Sequence, residues 1–296
     1  MKSVSAISQT GPARPGSAAR PRRLRLSAVT PFTYLVAVVL VGVTVVPLLF
    51  VILNGFRSNA QINSSATALP HPWVWHNYSA ILTSSAFWQP LKNSAIIALI
   101  ATALVVWLGS MAAFALSRYA FKGRESIFML FAIGLLFPLN AASLPLYLLL
   151  GKIGLLDNLF GVALPEAAFG LPITIVILRP FMRGIPAELE DAAVVDGATR
   201  IRFFWKILIP LSRPALATVA VLAFVQSWNT YLLPLLVFTS TQHFTLPLAV
   251  ANFQTQYAQD TASILAFTAL SMVPALGCFV FAQRHLVGGF TGAVKG

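Results

Sequence analysis

The run FTYLVAVVLVGVTVVPLLFVIL, residues 32–53, carries no charged side chain in 22 positions. As a helix it would cover about 30 Å, the hydrocarbon thickness of a bilayer. It is longer than the roughly 7–15-residue apolar core of a secretory signal peptide. The following residues 54–59 offer no small-residue cleavage site. The run is therefore read as a retained first transmembrane helix.

The rest of the chain agrees with that reading. Of 296 residues, 57% are hydrophobic and 9% charged, against about 25% charged in soluble domains. Mean hydropathy is +0.80. A soluble domain, a disordered chain and a disulfide-stapled secreted scaffold are all excluded. The single cysteine, Cys278, allows no internal disulfide, and His71, His76, His243 and His285 adjoin no carboxylate pair with metal-ligand spacing. Five further apolar runs follow, at residues 94–116, 127–150, 159–178, 215–238 and 264–281. The expectation is an all-α integral membrane protein with six transmembrane helices in residues 29–283. Residues 1–28 form a disordered basic tail, and residues 284–296 a second short tail. Pro47, Pro138, Pro145, Pro165, Pro172, Pro234 and Pro274 fall inside the runs and are read as static kinks, which membrane helices tolerate, with a hinge for conformational change as the alternative.

Lys and Arg set the orientation. With a cytoplasmic N-terminus, seventeen of the twenty lie on that side, and only Arg57, Lys92 and Lys152 on the other. Such a bias marks cytoplasmic loops, so both termini are expected in the cytoplasm. It also accounts for the net charge of +12 without nucleic acid.

No phosphate-binding loop is present, so ATP hydrolysis by that route is excluded for this chain. The spans also lack the Asp, Glu and His relays of ion-driven pumps. Glu166 is their one carboxylate, read as interfacial or cavity-facing without a special role, with a substrate ligand as the alternative. The informative segment is the loop at residues 184–210. It holds half of the protein's acids: Glu188, Glu190, Asp191 and Asp196. Pro186 suits a first helical position, and acids favour the positive end of a helix. Gly197 suits the left-handed residue that ends one. A second helix would start near Thr199 and carry Phe203, Phe204, Trp205, Ile207 and Leu208 up to Pro210. Ala192 and Ala193 would let another surface approach closely. An amphipathic pair lying on lipid headgroups is the alternative, but acids facing anionic lipid fit it poorly.

Asp191-Ala192-Ala193, Gly197, Ile207 and Ile209-Pro210 resemble the "EAA" loop of the permease subunits of binding-protein-dependent ABC importers. That pattern is EAA, three residues, G, nine residues, then I-x-L-P. Asp191 stands for its Glu and Ile209 for its Leu. Residues 188–198, 168–172, Trp228-Asn229 with Leu233-Pro234, and the tail 289–296 look like the carbohydrate-uptake branch, similar to the second permease of the maltose system. The resemblance implies a type I importer permease fold in a bacterial plasma membrane. The implied partners are a homologous second permease, two ATPase subunits and an extracytoplasmic sugar-binding protein. ATP and Mg would be used by the ATPase, and this chain would be no enzyme and bind no cofactor or metal itself. Glu188, Asp191, Ala192, Ala193, Asp196, Gly197, Ile207 and Pro210 would then couple to the ATPase.

Gln226, Trp228, Asn229 and Tyr231, with Thr230, form a polar and aromatic cluster in an otherwise apolar fifth span. Helical projection puts Trp228 and Tyr231 near one face, with Asn229 turned toward a neighbour. They are candidates for a substrate path; the alternative is hydrogen-bonded glue between helices. A secondary, ion-driven transporter, a permease for a non-sugar solute and a non-transporting scaffold are the competing functions. The first would call for inverted repeats and intramembrane ion ligands, neither of which is evident.

Overall fold

In the computed structural model, which describes residues 31–65, 67–257 and 260–293, every regular element is helical. The chain divides into two compact units, Met1–Val46 and Pro47–Gly296. In the first, residues 31–46 form the start of helix α1 (Pro31–Gly55), which is apolar on every face. The second holds the end of α1 and all other elements. These begin with α2 (Asn59–Ser64), α3 (His76–Thr83) and the long α4 (Ser85–Arg118), followed by α5 (Arg124–Gly134), α6 (Leu139–Lys152) and α7 (Leu159–Arg183). The loop segment contributes α8 (Glu188–Val195), α9 (Arg200–Phe203), a π-helical turn at Phe204–Leu208 and α10 (Ile209–Leu211). Then come α11 (Arg213–Asn229), α12 (Leu232–Val237), a 3-10 turn at Thr241–His243, α13 (Leu246–Gln256) and α14 (Thr261–Ala293). The expected tail 1–28 lies outside the described residues. The tail expected from residue 284 continues α14 as helix to Ala293.

Three helical segments are long and apolar enough to cross a membrane: Thr33–Gly55, Ser85–Arg118 and Leu159–Arg183. Two bent pairs raise the number to five if each is one span. The described apolar stretch of the last helix, Thr261–Gly277, is shorter. Two runs read as continuous spans are broken, and proline accounts for both breaks. Between α5 and α6 the axis turns by 98°. Pro138 has no N–H for the Gly134 carbonyl, and its ring would collide with that group in a continuous helix. Between α11 and α12 the chain is extended at Thr230. Here Pro234 likewise leaves the Thr230 carbonyl without its donor. These prolines end helices, where the sequence reading had them as kinks.

The core is built around α4 and α7. Ser84 caps α4 by accepting the Ala86 amide, and Asn158 caps α7 by accepting the Phe160 amide. The two helices approach closely because Gly170 faces Val105. A methyl group at Gly170 would lie 2.7 Å from a Val105 methyl carbon. In lipid, where apolar side chains gain nothing from leaving water, such close packing holds helices together. One buried cluster joins Ala113, Leu178 and Met182 to residues of α8–α11. Another joins Ile97, Val162 and Ala163 to Leu233 and Val237. A third lies under α13, with Ala98, Trp228, Leu246 and Phe267.

Candidate functional site

The loop after α7 folds as a helix, a left-handed glycine and a second helix. The first starts at Glu188, two residues beyond Pro186, which stands outside it. Glu188 and Asp191 are exposed in its first turn, next to the unbonded N–H groups. Gly197 has φ +76° and ends the helix, its amide donating to the Val194 carbonyl. Thr199 then caps α9 through its hydroxyl, which accepts the Arg202 amide. The π turn follows from Pro210, which cannot donate to the Lys206 carbonyl; Ile209 bonds back to Phe204 instead.

The two faces of this pair differ. Ala193, 5% exposed, packs in the core with Phe203, Phe204 and Leu208. Ile207 packs at its edge. Of the two alanines expected at an open surface, Ala193 is therefore turned inward, and only Ala192 is exposed. Outward stand Asp191, Ala192, Asp196 and Val195, the last 87% exposed, with Ile201 beside them. Pro210 is half-buried.

Two buried guanidiniums brace the base of the pair. Arg118, at the end of α4, donates to the Met182 and Ile185 carbonyls at 2.9 and 2.7 Å, with Glu190 at 3.9 Å. Arg179, near the end of α7, donates in return to the Leu116 carbonyl at 3.1 Å and pairs with Glu125. Its guanidinium lies 4.0 Å from the centre of the Phe128 ring. The sequence reading counted both arginines only as topological charges. The position of Arg118 in the last turn of α4, where helix carbonyls lack partners, was the signal available for it; Arg179, a turn before the end of α7, gave none.

The polar cluster of the fifth span is divided. Trp228 and Asn229 line a cavity of about 300 Å³ with Thr268, Ser271 and Met272 of α14. Trp228 is buried and stacked on Phe224, 5.5 Å between centroids. The amide of Asn229 donates to the Val225 carbonyl at 2.7 Å. Gln226 faces a separate, small cavity beside Glu166. Tyr231 lies beyond the end of α11, so the shared helical face projected for it and Trp228 does not form. Glu166, 8% exposed, accepts a hydrogen bond from the Ser227 hydroxyl.

At the far end of the core Asp157 has a left-handed backbone, φ 52°. Its carboxylate accepts the amides of Thr239 and Ser240 at 3.1 and 3.0 Å and the Ser240 hydroxyl. These bonds, led by the Ser240 hydroxyl, hold its carboxyl well below the usual range. Asp157 was missed because its partners lie some eighty residues away. Among the described residues no group of three or more His, Cys, Asp or Glu could hold a metal ion.

Comparison with known proteins gives these features a setting. Residues 105–291 match the family model described as binding-protein-dependent transport system inner membrane component. The chain is 38% identical to a putative ABC transporter permease of Caldicellulosiruptor, covering 85% of this chain and 92% of that one. It is 36% identical to the arabinooligosaccharides transport system permease AraQ of Halalkalibacterium halodurans, covering 86% and 92%. It is 34% identical to the diacetylchitobiose uptake system permease NgcG of Streptomyces coelicolor, covering 83% and 82%. Among solved structures, a chain of a bacterial ABC transporter that imports the polysaccharide alginate shares the fold, with TM-score 0.72 and 24% identity over 86% of this chain and 96% of that one. The chain is a multi-pass membrane protein and belongs to the inner-membrane components of binding-protein-dependent transport systems, the ABC importer permeases.

Proposed function

We propose that this chain is a permease subunit of an ATP-driven importer for a sugar or oligosaccharide. It spans the membrane six times, with both termini cytoplasmic, and forms half of a translocation path with a similar second subunit. Two separate ATPase subunits engage α8 and α9, and an external binding protein delivers the sugar. The observation that carries the reading is the two-faced helix pair. Its inner face is locked into the core through Ala193 and Phe203, and its outer face presents Asp191, Ala192 and Val195. An element so built transmits rigid-body motion from a partner to the helices beneath it. The names of the relatives, which speak of arabinooligosaccharides and diacetylchitobiose, support a saccharide as cargo.

The test is co-expression with the second permease and ATPase subunits, followed by co-purification and binding-protein-stimulated ATP hydrolysis across a sugar panel. Asp191→Lys and Val195→Asp alter only exposed side chains, so each should lower ATPase recovery at least fivefold while the permease folds normally. Full recovery with both variants would remove α8 as the coupling element.

A further inference from the structure

At the end of the core opposite α8, the first turns of α4, the Thr241–His243 turn and α13 enclose an open groove of about 400 Å³. That volume lies within the range of small-ligand sites, about 300–1,000 Å³. Gln89 donates to the Gln242 carbonyl at 3.2 Å and so fixes one wall. The side-chain amides of Gln242, Asn252 and Gln256 line the same space. None of these three has a hydrogen-bond partner among the described residues. Asn252 and Gln256 are four residues apart on α13, so they stand one above the other on a single helical face.

Between them in sequence is Phe253, which also lines the groove. Its ring is held by stacking on Tyr257 at 4.4 Å and on Phe267 at 4.7 Å. With its faces engaged by these two rings, Phe253 presents a fixed apolar edge to the groove, which a ligand can meet without ordering cost.

The chemistry selects a ligand class. No Lys, Arg, Asp or Glu is among the residues lining the groove, so an ionic solute would find no counter-charge there. Each amide offers both donors and an acceptor, which matches hydroxyl groups that also do both. An apolar ring edge beside such amides suits the C–H groups of a pyranose or furanose. We infer that this groove is a subsite for one unit of a neutral saccharide at the outer mouth of the permease, holding the sugar before it enters the path. The inference rests on the sugar-importer reading and its orientation.

The test uses right-side-out membrane vesicles containing the full importer without the binding protein. The permease carries Cys278→Ser with Asn252→Cys. A membrane-impermeant thiol reagent is applied with and without neutral di- to pentasaccharides of glucose, N-acetylglucosamine and arabinose. Uptake of each sugar is measured in parallel in the complete, binding-protein-supplied system. The thiol should be labelled from outside, and a transported sugar should slow labelling at least fivefold. In the complete system, the double variant Asn252→Ala/Gln256→Ala should raise the half-saturating sugar concentration about twenty-five-fold, two lost hydrogen bonds each being worth about fivefold. Its ATP hydrolysis stimulated by binding protein should stay within twofold of the parent. Labelling that no transported sugar slows would overturn the inference. So would loss of stimulation in the double variant, which would make the groove a protein-docking surface. Failure of the underlying reading looks different: no panel sugar is taken up, or the thiol reacts only after permeabilisation. Either result discards the inference with it.

Discussion

α4 and α7 run in the same direction, and their two ends are closed by opposite chemistry. Where both helices finish, Arg118 and Arg179 cross between them and reach the Met182 and Leu116 carbonyls. Where both begin, Ser84 and Asn158 cap the free amides, and Asp157 stands just ahead of α7. Asn93 adds neutral bonds to the Gln242 and Phe244 carbonyls at 2.8 and 3.0 Å, and the Ser94 hydroxyl accepts the Leu246 amide at 2.7 Å. Helix polarity explains the contrast: the carbonyl ends attract cations, and the amide ends attract anions and hydroxyls. Arg118 and Arg179 therefore act within the fold as well as adding loop charge. They brace the base of the α8–α9 pair, while the opposite end is tied by shorter side chains, neutral ones and the Asp157 carboxylate, around an open groove.

The largest effect is expected from cutting the brace. Arg179→Ala leaves the Leu116 carbonyl without its side-chain partner, and hydrogen bonds to charged groups are worth about 1.5–3 kcal/mol. Thermal unfolding of the purified protein in detergent should shift down by several degrees. Glu125→Gln should do far less, because the Glu125 side chain is 62% exposed. Equal melting temperatures for Arg179→Ala and the parent would show that the brace contributes nothing, and the contrast would lose its basis.

Next in size is the hinge of the pair. Gly197 has open space where a side chain would go, so any penalty there comes from its φ of +76° and not from collision. Gly197→Val should cost about 1–2 kcal/mol locally, with Gly197→Ala nearer the lower figure. Sugar uptake should fall in that order at unchanged membrane levels of the protein. Uptake equal to the parent in the valine variant would mean that the turn need not be rigid to couple.

How much of this was legible differs along the chain. The helix–glycine–helix order of residues 184–210 could be read, because Gly197, Thr199 and Pro210 act within a turn or two of themselves. The acids, by contrast, gave no sign that Ala193 would turn into the core and Ala192 away from it. Pro138 and Pro234 were visible, yet a lone proline in a membrane helix does not say whether the helix bends or stops. That depends on whether neighbours satisfy the freed carbonyl. The reciprocal arginine bonds span more than sixty residues, and the Asp157 bonds span eighty-two and eighty-three. No local pattern encodes such pairings. The grouping of Gln242 with Asn252 and Gln256 likewise appears only once α13 folds back beside α4. Trp228, singled out as a path residue, is buried on Phe224; its truncation would remove core packing as well as any path contact.

The smallest effect sharpens the contrast by pH. The Ser240 hydroxyl and amide, with His243 and the Thr239 amide, hold the Asp157 carboxyl below its ordinary value against the opposing cost of burial. A depressed folded-state pKa means that the ionised form is the one favoured by folding. The resulting stabilisation is complete above about pH 4, the ordinary range of an Asp carboxyl, and is lost as pH falls below it. Asp157→Asn removes this dependence, so its melting temperature should fall less than the parent's between pH 7 and pH 3. The gain is modest because the Asp157 side chain is 27% exposed and partly screened. Parallel acid slopes for Asp157→Asn and the parent would show that the clip holds as well through its neutral bonds, and that charge closes only the arginine end.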